Sequence, residues 1–338
     1  MYTLLSSLSI VLFIISTVSF RPLTDPVIVH VPLSRLGLEQ LYDFSGSEAH
    51  GERIVRGLAQ DFWPGPLTII FRAHASVPSC VTASSGYVGV RSPRHSTAQR
   101  LLELSGVPVA APSANRFGHV SPTSAGHVMD DLGEEEVFVL EDGEEKCEVG
   151  IESTVCRVSG SGDAVTILRC GAVTSEQITA SISKRGVTEC TFSVDNERAV
   201  KKSASLPTEE PSVAPGTALS SPSPRPLSIR RNWMRLGQMI KHYAPDVPIF
   251  VYLSCPGKSE DIASEFLYAL ADVSVSRMIV VDFGAQLSSF QSSCWRYIDL
   301  SATGNAAEAC TGVFSTLWQV ELWKKENPEE VHLLLLPD

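Results

Sequence analysis

The chain has 338 residues, 43% hydrophobic and 19% charged, the balance of a folded protein long enough for two domains with separate cores. A formal net charge of −11 excludes a protein that coats nucleic acid over its whole surface, while leaving room for one local basic groove. The 8 cysteines (80, 147, 156, 170, 190, 255, 294, 310) form no C-x-x-C pair and there is no H-E-x-x-H, so neither a structural zinc nor a disulfide framework is expected.

Residues 1–20 are an apolar run with no preceding Lys or Arg, open to reading as a leader or anchor, a mispredicted exon, or a buried segment. Arg21-Pro22-Leu23-Thr24-Asp25-Pro26 is an extended polar lead-in to a strand, Val27 to Val31, that carries His30. Residues 51–61 predict an amphipathic helix with Ile54, Val55 and Leu58 inward. The turn Asp61-Phe62-Trp63-Pro64-Gly65-Pro66 then enters a strand at Leu67 to Phe71, with Trp63 as a packing anchor. Tyr87 to Arg91 alternates as a strand ending in Arg91, a side chain able to grip carboxylate or phosphate through two parallel hydrogen bonds. A helix follows over 96–105, capped by Ser96 and stopped at Gly106.

Gly106 to Ala125 reads as a strand (Val107 to Ala111), a loop holding Ser113, Ala114 and Asn115, and a helix opened by Ser121 as N-cap with Pro122 in the first turn. A strand, a polar loop and a helix N-terminus in succession suit the binding of an anion. Strands are expected at Val137 to Leu140, Gly150 to Val155 with hydroxyls at Ser153 and Thr154, and Val165 to Leu168 leading into Arg169. A helix starts near Ser175, capped by Thr174 in a T-x-x-Q box. Short strands with few helices predict a mixed α/β sheet whose loops gather at one edge.

From about 190 the texture becomes that of a linker. Within it, 218–238 is rich in Ser and Pro and holds Arg225, Arg230, Arg231 and Arg235 without an acidic residue, which reads as a disordered basic arm or as an intron carried into the protein. Strands at Ile249 to Leu253, Met278 to Phe283 and His332 to Leu336, separated by helices near 259–272 and 304–325, predict a second α/β domain with a parallel sheet. It contains no G-x-G-x-x-G.

The segments RPLTDPVIVH (21–30), DFWPGPLT (61–68), VGVRSP (88–93), GVPVAAPSANRFGHVSPTSA (106–125), VGIESTV (149–155), ILRCG (167–171), APG (214–216) and KHYAP (241–245) occur in this order. Together they resemble the threonylcarbamoyl-AMP synthase family, the YrdC-like enzymes, in its long two-domain form. The resemblance implies an α/β fold: a YrdC-like twisted mixed sheet with helices around a concave site, plus a small C-terminal Rossmann-like domain. It implies a catalytic domain over 21–188, a linker over 189–245 and a C-terminal domain over 246–338. The implied reaction joins L-threonine, bicarbonate and ATP into threonylcarbamoyl-AMP and pyrophosphate, with Mg²⁺ bridging the phosphates, in the cytoplasm, for a downstream tRNA threonylcarbamoyl-transfer machinery.

By that resemblance His30, Arg91, Ala111 and Ser153 would surround threonine. Arg21, Asp25, Tyr87, Ser113, Ser121 and Arg169 would line ATP, and no side chain would serve as nucleophile or metal ligand. The family's opening PTETVYGLG-like motif and its lysine ahead of the arginine matched by Arg21 are not found here, and Asp25 stands where the family usually has Asn. The alternative is a non-catalytic paralogue that binds tRNA or double-stranded RNA.

Overall fold

The computed structural model describes residues 25–45, 49–135, 137–140, 150–186, 191–194, 245–252 and 274–337, which fall into two compact units. Residues 1–20, Arg21, the APG segment, KHYAP up to Ala244, the 218–238 insert and the helix expected near 259–272 lie outside the described residues.

Among the described residues seven short strands build the first sheet: β1 (Val29–His30), β2 (Leu67–Arg72), β3 (Tyr87–Arg91), β4 (Val109–Ala110), β5 (Thr154–Val158), β6 (Ala164–Arg169) and β7 (Thr191–Val194), in the order β4-β1-β3-β2-β5-β6-β7. The sheet is mixed, as expected: β1 runs parallel to β3, β2 to β5 and β6 to β7, whereas β1–β4, β2–β3 and β5–β6 are antiparallel. Its helices are α1 (Leu38–Leu41), α2 (Ala49–Phe62), α3 (Ser96–Ser105), α4 (Ala125–Leu132) and α5 (Ser175–Ser183).

Leu67, Ile69 and Phe71 alternate onto the buried face of β2 and share one core with Ile54, Val55 and Leu58 of α2 and Ile178 and Ile182 of α5. Tyr42 is buried among them and donates to Ile69 O at 2.6 Å. Trp63 is buried and donates from Nε1 to Leu67 O at 2.7 Å, which holds the proline-rich turn against the start of β2. Across α2 and α5, Arg185 reaches both oxygens of Asp61 at 2.7 and 2.8 Å. That fork, with Ser181, holds the Asp61 carboxyl well below the usual carboxylate range.

At the head of α5, Thr174 Oγ1 accepts from Gln177 N while the Gln177 side chain accepts from Thr174 N, the reciprocal box its spacing predicts. Thr174→Ala should lower the unfolding free energy by about 1 kcal/mol, read as an earlier urea midpoint with unchanged slope.

Several expectations need correction. Val137 to Leu140 forms no strand; Phe138 and Leu140 are exposed, and the stretch pairs with no strand among the described residues. The 107–111 strand shrinks to Val109–Ala110, for Pro108 and Pro112 flank it and neither has an N–H to donate. The cap of α4 is Ser124, which accepts from His127 N, rather than Ser121. His95 occupies the N-cap position of α3 in place of Ser96. Residues 191–194, expected within the linker, pair with β6.

The second unit holds β8 (Ile249–Tyr252), β9 (Met278–Asp282), β10 (Arg296–Asp299) and β11 (Leu333–Pro337), all parallel, in the order β10-β9-β11-β8. β9 is buried along its whole length, as befits a strand inside a parallel sheet. Helix α6 (Ala306–Glu326) connects β10 to β11; Asn305 caps it by accepting from Ala307 N and Glu308 N. β10 was not foreseen, since Arg296 and Asp299 mask its short apolar content. Among the described residues no helix is long and apolar enough to cross a membrane, and Cys80, Cys156, Cys170, Cys294 and Cys310 are free thiols.

Candidate functional site

Register alone brings five strand tips to one end of the first sheet. His30 ends β1 and pairs with Arg91, the end of the parallel β3. β2 is antiparallel to β3, so its start, Leu67 and Thr68, lies at that same end. β5 runs parallel to β2 with Leu67 opposite Thr154, and Val155 pairs with Arg169, the last residue of the antiparallel β6. Chain ends that are scattered in sequence thus share one rim, as loops carrying function do on a rigid sheet.

The proline-rich turn locks this rim. Gly65 N donates to Ser92 O at 2.8 Å, Arg91 Nε donates to Gly65 O at 3.1 Å, and Thr154 N donates to Pro66 O at 2.9 Å. The buried hydroxyl of Thr154 donates to Val173 O at 2.7 Å and accepts from Val173 N at 3.0 Å, so the 170–173 loop is bolted to β5. Gly171 sits in that loop, where an added Cβ would lie 2.5 Å from Glu152 O and Thr154 N.

Arg169 is the hub. Its Nε donates to Ser153 O at 3.0 Å and its Nη2 to Ser153 Oγ at 3.0 Å, while Nη1 pairs with Glu152. Ser153 Oγ lies 2.9 Å from Thr68 Oγ1, and both residues are buried. Ser121, also buried, donates to Glu152 Oε1 at 3.4 Å, which ties the 111–121 loop to the rim. That loop is riveted from within: Asn115 Nδ2 donates to Arg116 O and His119 O at 2.8 and 3.1 Å, and Asp131 of α4 accepts from Arg116 N at 2.6 Å and lies 2.9 Å from His119 Nδ1.

Burial, seconded by the Arg91 charge, pushes the His30 imidazole down to about 4, and its buried Nδ1 has no hydrogen-bond partner among the described residues. His30 is therefore neutral at pH 7. Below its ordinary 6.5 the unfolded chain takes up a proton that the folded chain refuses until about 4. Stability from this group is full above about 6.5 and is lost as pH falls toward about 4. A His30→Gln variant should show a smaller drop in thermal midpoint between pH 7 and pH 4.5 than the parent; equal drops would refute the assignment.

The structure therefore joins His30, Arg91, Ser121, Ser153 and Arg169 at one rim, and adds two residues that the sequence reading passed over. Thr68 was visible only as a strand hydroxyl, and Glu152 only as the carboxylate preceding a hydroxyl pair. The remaining candidates lie elsewhere. Ala111 N donates to Ile28 O at 3.1 Å, beside the start of β1 rather than its His30 end, and Ser113 beyond it is exposed. Asp25 is on the lead-in to β1. Tyr87 begins β3, about 13 Å along the strand from Arg91, with the Arg157 guanidinium 6.0 Å from its ring centroid.

Among the described residues no group of three His, Cys, Asp or Glu could hold a metal ion. The rim offers guanidinium, hydroxyl and backbone donors, which suit anionic ligands better than a bare cation.

This mixed sheet with a donor-rich rim has the YrdC-like α/β fold, and part of the chain matches the Sua5/YrdC family model. Residues 15–171 match the Sua5_yciO_yrdC family model, described as telomere recombination. Among curated relatives, the threonylcarbamoyl-AMP synthase of Schizosaccharomyces pombe is 38% identical over 178 residues, 48% of this chain and 42% of the relative. That of Pyrococcus abyssi is 36% identical over 181 residues, 53% and 50% of the two chains. That of Bacillus subtilis is 31% identical over 247 residues, 73% and 58%. The chain thus spans about half the length of the curated relatives it matches. A double alanine variant of P. abyssi Sua5 superposes with TM-score 0.67 at 22% identity, covering 96% of this chain and 77% of that one. The P. abyssi Sua5 complex with L-threonine gives TM-score 0.63 at 24% identity over the same shares. At these identities the likeness defines the fold.

Proposed function

We propose that this chain is a threonylcarbamoyl-AMP synthase, whose product supplies a tRNA threonylcarbamoyl-transfer step in the cytoplasm. The observation that carries the reading is the single rim on which Arg91, Ser121, Ser153 and Arg169 meet, in a chain 31–38% identical to three curated synthases. The division of labour assigns residues 21–188, with the β7 segment, to catalysis, the rest of 189–245 to the linker and 246–338 to the C-terminal domain.

The chemistry asks for positioning and charge absorption rather than a nucleophilic side chain. The threonine amine adds to bicarbonate carbon with loss of water, giving a carbamate. A carbamate oxygen then attacks the α-phosphorus, and the bond to the β-phosphate oxygen breaks to release pyrophosphate. Arg91 is assigned to the threonine carboxylate and the neutral His30 to the amino-acid side of the site. Ser121 and Arg169 take the nucleotide phosphates, with Ser153 between the two ligands. Ala111 is assigned to threonine, and Arg21, Asp25, Tyr87 and Ser113 to ATP. Mg²⁺, when bound, would neutralise charge on the polyphosphate.

The test is pyrophosphate release by the purified full chain. Release is expected only when L-threonine, bicarbonate and ATP are present together, and release that ignores threonine would refute the reaction.

A further inference from the structure

We propose that Glu152 is a displaceable internal ligand of the anion subsite. Its carboxylate holds the place on Arg169 and Ser121 that a polyphosphate takes on binding, so that an anion entering the subsite must displace it. The inference rests on the reading of Arg169 and Ser121 as phosphate-binding, and it assigns a role to a residue with none so far.

Glu152 accepts from Arg169 Nη1 and, at 3.4 Å, from Ser121 Oγ. Carboxylate and phosphate oxygens meet a guanidinium in the same geometry, so one can replace the other without rebuilding the cation's surroundings. The rest of Arg169 is fixed independently, by Nε on Ser153 O and Nη2 on Ser153 Oγ, itself beside Thr68 Oγ1. Removing Glu152 therefore leaves the guanidinium aimed as before, with its Nη1 edge the part that changes partner.

Departure of the carboxylate needs only side-chain rotation. The backbone at 152–154 is clamped by the close approach of Gly171 and by Thr154 N on Pro66 O. The pair is open enough for exchange, the Arg169 and Glu152 side chains being 33% and 22% exposed. A monoanion that displaces Glu152 replaces one negative charge by another and gains little. A polyphosphate brings more charge and more acceptor oxygens than it removes, and gains much.

The experiment is calorimetric titration of the full chain and its E152Q and E152D variants with pyrophosphate, inorganic phosphate and L-threonine. E152Q, which keeps shape but loses charge, should bind pyrophosphate and phosphate about tenfold more tightly or better, the value of one charged hydrogen bond. The displacement cost is common to both anions, so pyrophosphate should gain at least as much as phosphate, while E152D stays close to the parent. Unchanged or weakened binding in E152Q, or a gain confined to L-threonine, would overturn the proposal. Loss of the cooperative thermal transition in both variants would overturn it too, since a carboxylate that leaves Arg169 on ligand binding cannot be indispensable to the fold. Binding, not turnover, is read, so an inactive parent refutes the reaction while an unmoved pyrophosphate affinity in E152Q refutes the displacement.

Discussion

Replacing Arg169 by alanine should lower threonine-dependent pyrophosphate release by about a hundredfold or more, because one preorganised cation at the phosphates is removed from the transition state. The loss should appear mainly in kcat, since charge builds on the phosphates as the α-phosphorus is attacked. Stability should hardly move: the pair with Glu152 is partly solvated, and such pairs contribute about 1 kcal/mol or less. Arg169→Lys should recover only part of the activity, as an ammonium is a single point charge that cannot reach Ser153 O, Ser153 Oγ and a phosphate with the geometry of a planar fork. A fully active alanine variant, or one that is inactive because it is unfolded by thermal melting, would refute this role.

Gly171→Ala is the second large effect, and it acts through shape. The new Cβ would lie 2.5 Å from Glu152 O, 2.5 Å from Thr154 N and 2.7 Å from Ser153 C. All three are backbone atoms, so no flexible side chain can yield, and the β5 entry must move away from the 170–173 loop. That shift would strain both Thr154 hydrogen bonds to Val173 and pull Ser153 from Arg169. The expected cost is about 2–3 kcal/mol of stability, as for other overpacked sites, together with loss of turnover. Gly126→Ala supplies the contrast, for its Cβ would meet only Ser124 Oγ at 3.6 Å in the first turn of α4. That variant should be neutral or more stable by about 0.5 kcal/mol. Equal thermal midpoints for the two variants would sink the steric argument.

Much of this was legible in the chain, and the reason differs from element to element. Tyr87 to Arg91 alternates cleanly, and β3 spans those residues. The T-x-x-Q signature at Thr174 carries its own chemistry, so the start of α5 falls where it was expected. What failed were segments whose fate is decided by distant partners. Val137 to Leu140 has strand composition, but composition supplies no neighbouring strand with which to pair. Three hydroxyl residues, Ser121, Thr123 and Ser124, all precede α4, and only the fold decides that Ser124 caps the helix while Ser121 turns to Glu152.

The site divides in the same way. Arg91, Ser153 and Arg169 stand at strand ends, where polar residues in an apolar pattern draw notice. Thr68 and Glu152 could not be read from local sequence. A threonine within a strand is ordinary, and a carboxylate gains meaning only once a guanidinium 17 positions away in sequence is folded onto it. Sequence gave the strand tips; register gave their convergence.

The brevity of β4 has a consequence for solubility. Outermost on its side of the sheet among the described residues, it has 2 residues and is bracketed by Pro108 and Pro112. An intruding strand from another molecule would find almost no free ladder to extend, and the two imino acids interrupt any attempt to lengthen it. The same punctuation that trims this margin of the sheet thus guards the protein against edge-to-edge aggregation.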